Sequence, residues 1–434
     1  MRVKPFAAWR FNRDVVGDPA ACVSPPFDQF NPALVAQLEA QSVYNVARLV
    51  AAPPGGGPDE SGDSYREKAA LLDDWIAAKA LTPDASPGIY PYTQKYTRSG
   101  QRLTRRGFIA VGDLRDAAIL PHEATHAHVR EDRARLRRAT AVDFGLIFVV
   151  YSDPTGEIDR ILRDCEATEC LVEAEQPDGS LHELRRCTDT HRIERVVRSL
   201  RDLDCVIADG HHRTAAAFDA WREVGEERWA AIMMAFFNAD APGVTVLPLH
   251  RGVECPAGWK FDVFLDRLAE FFEVIRFNVG DAAPRDVAEI LEEHIRERAK
   301  QGNIAFGMVG PPPDAAYLVE APASPSADWP FPDAMHPVVR GMPTALFETG
   351  VLRGALHFED FQVDRGDRLR FRKDATDLVM EVREGQYQLG FLLPPTPLDA
   401  VFEVARLRQN LPQKSTYFFP KLLTGLTVHR IEAA

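Results

Sequence analysis

Long apolar stretches, paired cysteines, phosphate-loop glycines and an excess of positive charge are all missing from this sequence, and each absence removes a class of function. The longest apolar runs are Phe144 to Tyr151, with its single Gly145, and Ala230 to Phe237. Both have the length of strands, far below the roughly 20 residues that span a bilayer, so no membrane segment is expected. The opening Met1 to Phe6 holds no apolar signal core, which speaks against secretion. The six cysteines, Cys22, Cys165, Cys170, Cys187, Cys205 and Cys255, are scattered with no Cys-x-x-Cys pair, so neither a zinc knuckle nor a redox pair is on offer. A cytoplasmic protein with reduced, structural thiols is the expectation. The net charge of -13 argues against any general affinity for nucleic acid or acidic membranes and confines an anion site to a local pocket.

What is present is ordinary globular material: 434 residues, 45% hydrophobic and 26% charged, enough for two or three domains with real cores. A strand over Arg2 to Phe11 leads to a loop stiffened by Pro25-Pro26. A flexible Pro/Gly insertion at Pro53 to Pro58 precedes a helix over Tyr65 to Lys79 with Leu71, Leu72, Trp75 and Ile76 at helical spacing. Strands follow over Gly88 to Tyr96 and Thr104 to Val111, joined by a turn at Ser99-Gly100. Next come a helix at Glu131 to Thr140, a strand at Leu146 to Tyr151, a hairpin within Cys170 to Cys187 turning at Asp178-Gly179, and a helix at Ile193 to Leu200. A second block begins near Cys255, with helices at Phe261 to Phe272 and Pro284 to Gln301, a strand at Ile304 to Val309, and a final helix at Leu398 to Leu407. The prolines between Gly310 and Asp333 mark an exposed connection. The expected fold is α+β, a mixed α/β arrangement, in two domains: 1–254 and 255–434, with the tail of the second returning to the site of the first.

The most informative stretch is Ile207-Ala208-Asp209-Gly210-His211-His212-Arg213. Leu203 to Ala208 is a short apolar run of strand type, and Thr214 to Trp221 is alanine-rich and free of breakers. The turn between them therefore lies at a helix start, where unpaired backbone N–H groups and positive partial charge receive a phosphate. Arg213 adds a bidentate fork, and His211 and His212 bring two imidazoles able to exchange a proton near neutrality. The alternative is an Asp209 cap followed by surface histidines.

Three further stretches bear on chemistry. His122-Glu123-Ala124-Thr125-His126 matches H-E-x-x-H, which on a helix places two imidazoles around zinc with the glutamate as base. No third ligand stands at the spacing such an enzyme needs, so a zinc hydrolase at His122, Glu123 and His126 is the weaker reading. The wider run Leu120 to Thr140 joins His122, Glu123, Arg130, Asp132 and Arg133 to a basic helix. A solvated helix face accounts for Arg135, Arg137 and Arg138 but not for His122 and Glu123. Near the end, Leu411 to Lys421 combines Lys414, Ser415, Thr416 and Lys421 with three aromatics. It lacks the glycines of a Walker loop and is either an edge strand or a donor-rich segment that closes over a phosphorylated ligand.

Together these stretches resemble the bacterial family known as domain of unknown function 1015, nearly end to end. The resemblance rests on Pro25-Pro26-Phe27-Asp28, Tyr44-Asn45 with Arg48, Leu120-Pro121-His122-Glu123 with Asp132-Arg133, Ala208 to Arg213, Leu247-Pro248 with His250-Arg251, and Pro412 to Lys421 with Thr424-Gly425. Phe27 stands where tyrosine is usual, Leu411 where methionine is usual and Thr214 where an aromatic is usual. The Asp-Gly-His-His-Arg loop is also similar to the phosphate loop of the ParB and sulfiredoxin superfamily, which includes partition CTPases, sulfiredoxins and free-serine kinases. His211 occupies the place of the sulfiredoxin cysteine, and this acidic chain shows no DNA-binding region, so the serine kinases fit best.

The resemblance implies a ParB/sulfiredoxin-like phosphate-binding core with large insertions. It also implies a phosphotransferase acting on a small hydroxylated metabolite, foremost free L-serine, with ADP, ATP or pyrophosphate as donor. Asp209, Gly210, His211, His212, Arg213, His122, Arg133, Lys414, Ser415 and Thr416 are the expected phosphate and nucleotide contacts. Glu123 or Asp28 is the expected base, with His212 a further catalytic candidate. Mg²⁺ is the expected helper, held through Asp209 rather than in a tight site. A nucleotide-binding regulatory module without turnover is the alternative.

Overall fold

The apolar run ending at Phe237 lacks the in–out alternation of a half-solvated strand, so it is suited to burial on both faces. In the computed structural model it forms Ala231–Asn238, buried at all eight positions, in the middle of a large sheet. The structure describes residues 1–53, 57–98, 100–323, 325, 329–359 and 368–431. The centre of the expected insertion at 53–58 and Ser99 of the expected turn lie outside them. The chain divides into two units: Met1–Thr245 with Phe418–Ala434, and Val246–Tyr417.

In the first unit the sheet is built from β1 (Val3–Lys4), β2 (Tyr90–Arg98), β3 (Gln101–Asp113), β4 (Ile119–Leu120), β5 (Ile147–Tyr151), β6 (Val172–Glu175), β7 (Leu181–Leu184), β8 (Cys205–Asp209) and β9 (Ala231–Asn238). Among the described residues the order is β4-β8-β5-β9-β3-β2-β7-β6, with β1 pairing β3. The sheet is mixed: β8 runs parallel to β4 and antiparallel to β5, and β9 runs parallel to β5 and antiparallel to β3. Helices α1 (Ala127–Thr140), α2 (Glu157–Asp164), α3 (Thr190–Leu200) and α4 (His211–Val224) accompany it. Period-two alternation sends Val149, Ile207, Met234 and Phe236 to one face, where they pack with Ile158, Ile161 and Leu162 of α2 and Val196 and Leu200 of α3. Phe148 and Phe237 point to the other face, where Phe418 of the C-terminal segment meets Phe148 at 5.4 Å between centroids.

The second unit holds an antiparallel sheet of β10 (His250–Val253), β11 (Glu273–Asn278), β12 (Ala305–Val309), β13 (Ala315–Glu320), β14 (Leu369–Arg372) and β15 (Leu389–Leu392), in the order β11-β13-β12-β15-β10-β14 among the described residues. Alternation again makes two cores. Leu318 packs with Leu291 and Val379 on one side, and Val319 packs with Phe272, Phe306 and Phe347 on the other.

The expectation of an exposed connection between Gly310 and Asp333 is corrected by β13, whose first five residues are buried. The prolines flank the strand and leave Ala315 to Glu320 free of breakers. The solvated reading of Arg137 also fails. Arg137 is 5% exposed, pairs with Asp143 at 2.8 Å and donates to the Ala231 carbonyl at 2.7 Å, whereas Arg135 pairs with Glu131 and Arg138 with Glu223 at the surface. No helix among the described residues is long and apolar enough to cross a membrane.

Candidate functional site

β8 ends on Asp209, and the chain turns through Gly210 into α4. Gly210 has φ 98°, and a Cβ there would meet Ile147 Cδ1 at 2.9 Å, so the turn calls for glycine. The helix begins at His211, earlier than the alanine-rich run predicts, so His211, His212 and Arg213 form its first turn. Its ladder opens with the Thr214 N–H donating to the Gly210 carbonyl at 2.9 Å. The preceding backbone N–H groups stand outside that ladder, at the positive end of the helix. Gly210 is the N-cap and no side chain caps it, so Asp209 is not a helix cap.

Asp209 lies instead between two cations. Arg213 Nη2 is 3.2 Å from its Oδ2, and Lys421 Nζ is 3.5 Å from its Oδ1. The other arm of Arg213 donates to the Leu146 carbonyl at 2.6 Å, passing Gly145, where a Cβ would come within 3.0 Å of the guanidinium. The three side chains are 16%, 20% and 11% exposed for Arg213, Asp209 and Lys421. Two cations thus stand with the Asp209 carboxylate beside a helix N-terminus, a setting that favours a phosphate-like anion.

The histidines do something other than add charge. His122, on the loop after β4, is 1% exposed and His211 is 6% exposed. The backbone N–H of His122 donates to His211 Nε2 at 3.4 Å, and that of His126 donates to His212 Nε2 at 3.0 Å. The His126 and His212 rings stack at 5.6 Å. Nε2 of each helix histidine is therefore an acceptor that docks the 122–126 segment. Burial lowers His122 to about 4, against a hydrogen bond to the Ile207 backbone and the charge of Asp209, which both raise it. Burial, then His122, pushes His211 well below its ordinary value despite the opposing pull of Asp209. His211, expected to exchange protons near neutrality, is held neutral there.

His122 to His126 is not helical, and His126 is the N-cap residue of α1. The i, i+4 face that an H-E-x-x-H zinc site needs is not formed. Among the described residues no group of three or more His, Cys, Asp or Glu is arranged to hold a metal ion.

Behind Gly145 lies a cavity of about 70 Å³ lined by Phe27, Arg133, Arg137, Phe144, Arg213 and Thr424, among others. It is a small fraction of the roughly 300–1,000 Å³ typical of small-molecule sites, so it suits one group of a ligand rather than the whole. Arg133 stands over the Phe27 ring at 4.3 Å, bonds Asp132 through Nε at 2.7 Å and reaches the Val50 carbonyl at 2.7 Å. Arg137 and His429 grip Asp143 from either side, each at 2.8 Å.

The structure thus gathers Asp209, Gly210, His211, His212 and Arg213 with His122, and it places Arg133 and Arg213 on one cavity. Glu123 is half-buried between the two docked histidines. Asp28 is exposed on the turn Phe27–Gln29, its carboxylate bonded to none of the described residues. Lys414, Ser415 and Thr416 fall in the second unit. There the Ser415 hydroxyl lies 2.7 Å from Thr344 Oγ1, and the Lys414 carbonyl accepts from Arg251 Nη2 at 3.0 Å.

Two residues of the site were not singled out from the sequence. Lys421 was visible only as one donor of a donor-rich tail. Arg105, which donates to the Phe419 carbonyl of that tail at 3.0 Å, shows in the sequence only as a charge within the expected strand, and in the structure it lies opposite Gln94.

The family described as "Protein of unknown function (DUF1015)" matches residues 3–344. No curated protein matches. Among solved structures, a free serine kinase in complex with AMP is 13% identical with a TM-score of 0.37, covering 71% of this chain and 86% of that one. A point variant of a free serine kinase in complex with ADP gives 13%, 0.37, 71% and 87%. A conserved hypothetical protein from Pyrococcus furiosus gives 14%, 0.36, 72% and 92%.

Proposed function

We propose that this chain, which belongs to the DUF1015 family, is a phosphotransferase that holds the phosphates of its donor at the turn from β8 into α4. One observation carries the reading. The Gly210 turn gathers an uncapped helix start, Arg213 and Lys421 around the carboxylate of Asp209. Phosphoryl transfer needs mainly positioning and neutralisation of phosphate charge, and these groups supply both. The bond from the terminal phosphorus to its bridging oxygen breaks, a new bond forms to the acceptor hydroxyl, and the hydroxyl proton passes to a base. Glu123 and Asp28 are the proposed carboxylates for that last role. His212, its Nε2 already accepting the His126 N–H, acts chiefly by holding the 122–126 segment.

Asp209 does not fit the role of a Mg²⁺ ligand as it stands, because each of its oxygens faces a cation. Mg²⁺ would arrive with the donor's phosphates. The reading includes a ParB/sulfiredoxin-like core and a small hydroxylated acceptor, with free L-serine first. ADP, ATP and pyrophosphate are the donors to test, with AMP, the nucleotide of the solved kinase complex, as a binding probe.

Phosphorus NMR of the protein with serine, Mg²⁺ and each donor in turn tests the proposal. The expected result is a new phosphomonoester resonance with one donor, lost in Arg213→Ala, with binding of that donor weakened by about 1.5–3 kcal/mol, the range for charge-assisted bonds. Binding and a raised melting temperature without product with any donor would instead establish a regulatory module. Unchanged nucleotide and pyrophosphate affinity in Arg213→Ala would make the loop purely structural.

A further inference from the structure

We infer that Lys421 is a phosphate-binding residue of the anion site and that Arg105, in the middle of β3, is the residue that positions it. The inference rests on the phosphate reading of the Gly210 turn.

Arg105 is 1% exposed and among the largest fully buried side chains of the molecule. Burying a guanidinium is costly unless charge or hydrogen bonds compensate. No carboxylate pairs with it among the described residues, and burial lowers it to about 10, still cationic at neutral pH. Its donors go to neutral oxygens. Nε donates to Gln94 Oε1 at 2.9 Å, Nη1 to the Phe419 carbonyl at 3.0 Å, and Nη2 to Gln94 Oε1 and the Pro420 carbonyl. Its Cζ stands 4.6 Å from the centroid of the Phe148 ring and 4.9 Å from that of Phe237, where the π faces offset part of the lost hydration.

Gln94, oriented by Arg105, donates through Nε2 to the Lys421 carbonyl at 3.0 Å. Three consecutive carbonyls, at residues 419, 420 and 421, are therefore fixed by one buried guanidinium and its amide partner. On the far side of Lys421, the Tyr92 hydroxyl accepts the Leu423 N–H at 3.3 Å, and Thr424 exchanges two backbone bonds with Ser24.

An apolar side chain of similar volume would fill the same space without the desolvation cost. What the guanidinium adds is a fixed path for the three residues that end in Lys421. That path delivers Nζ to 3.5 Å from Asp209 Oδ1 and close enough to His211 to disfavour a second positive charge there. Asp209 holds the ammonium beside the open helix start, at a position from which it can exchange one carboxylate contact for a phosphate oxygen.

A double-mutant cycle on the full-length chain tests this, with pyrophosphate affinity read by calorimetry and folding read by melting temperature. Lys421→Met is expected to weaken pyrophosphate about ten- to hundredfold, as loss of a charge-assisted contact does, with an unchanged melting temperature. Arg105→Met tests the anchor. Arg105→Lys is the second variant should the first not fold, since one ammonium cannot span both carbonyls and Gln94. Either is expected to weaken binding about tenfold in the parent and less than twofold in the Lys421→Met background. A purely structural Arg105 would give the same loss in both backgrounds, which overturns the positioning role. Parent-like affinity in Lys421→Met overturns the binding role. A parent that binds no pyrophosphate, or binds it equally in Arg213→Ala, removes the phosphate reading itself and is told apart by that control.

Discussion

The ring of His122 stands edge-on to that of His211, with 4.6 Å between centroids and 88° between planes. Two buried imidazoles at that distance cannot both be charged without strong repulsion, and burial already drives both towards the neutral form. The consequence is a pH-dependent stability. In the unfolded chain each histidine takes a proton near pH 6.5. In the folded chain His122 does so only near pH 4. Below pH 6.5 the unfolded state thus binds more protons, and stability falls from pH 6.5 down to about pH 4, where the His122 contribution levels off. A shift of that size corresponds to about 3 kcal/mol, with His211 acting in the same direction. Melting temperatures measured from pH 7 to pH 4 should show the fall, and His122→Gln should flatten it. An identical profile in that variant would mean that His122 is protonated in the fold without penalty.

Asp143 behaves in the opposite sense. Burial alone would raise its carboxyl, but Arg137 and His429 outweigh that and hold it at about 2. A lowered carboxylate contributes stability above the unfolded pKa of about 3.9, and the contribution is lost as pH falls towards 2. Asp143→Asn at neutral pH leaves the buried Arg137 guanidinium without its counter-charge. The expected loss is about 3–5 kcal/mol, the usual result of removing one partner of a buried pair, read by chemical denaturation. A loss under about 1 kcal/mol would show that the carbonyls of Ala217, Trp229 and Ala231, to which Arg137 also donates, carry the cation by themselves.

The strand–glycine–helix turn was legible because each part has a local signature: an apolar run, a glycine and an alanine-rich run. The position of the helix start was not. It depends on the left-handed conformation of Gly210, which lets His211 enter the helix at once, whereas propensity favours Thr214. Arg135, Arg137 and Arg138 look alike in sequence, and only the packing of α1 beside Asp143 and Trp229 separates the buried one from the solvated two. β13 was hidden because composition over a window weighs the flanking prolines more than the six residues between them. The tail was legible as rich in donors. Which lysine meets Asp209 was not, because that is decided by carbonyls tied to Arg105 and Gln94, distant in sequence.

Lys414 offers a test in which stability and function are expected to move in opposite directions. It is exposed, its ammonium bonds to none of the described residues, and its backbone is left-handed with φ 58°. That conformation costs a non-glycine residue about 1–2 kcal/mol, of which the added freedom of an unfolded glycine would return a part. The buried Arg251 donates to the Lys414 carbonyl at 3.0 Å and stands 4.5 Å from the centroid of the Phe371 ring. Lys414→Gly should therefore raise stability by up to about 1 kcal/mol, and Lys414→Asn, another residue tolerant of this conformation, should leave it near the parent value. The sequence-based expectation that the Lys414 side chain contacts phosphate predicts slower phosphoryl transfer in both variants. A Lys414→Gly protein that is more stable and turns over as fast as the parent would remove Lys414 from the site and leave Lys421 as the lysine that matters.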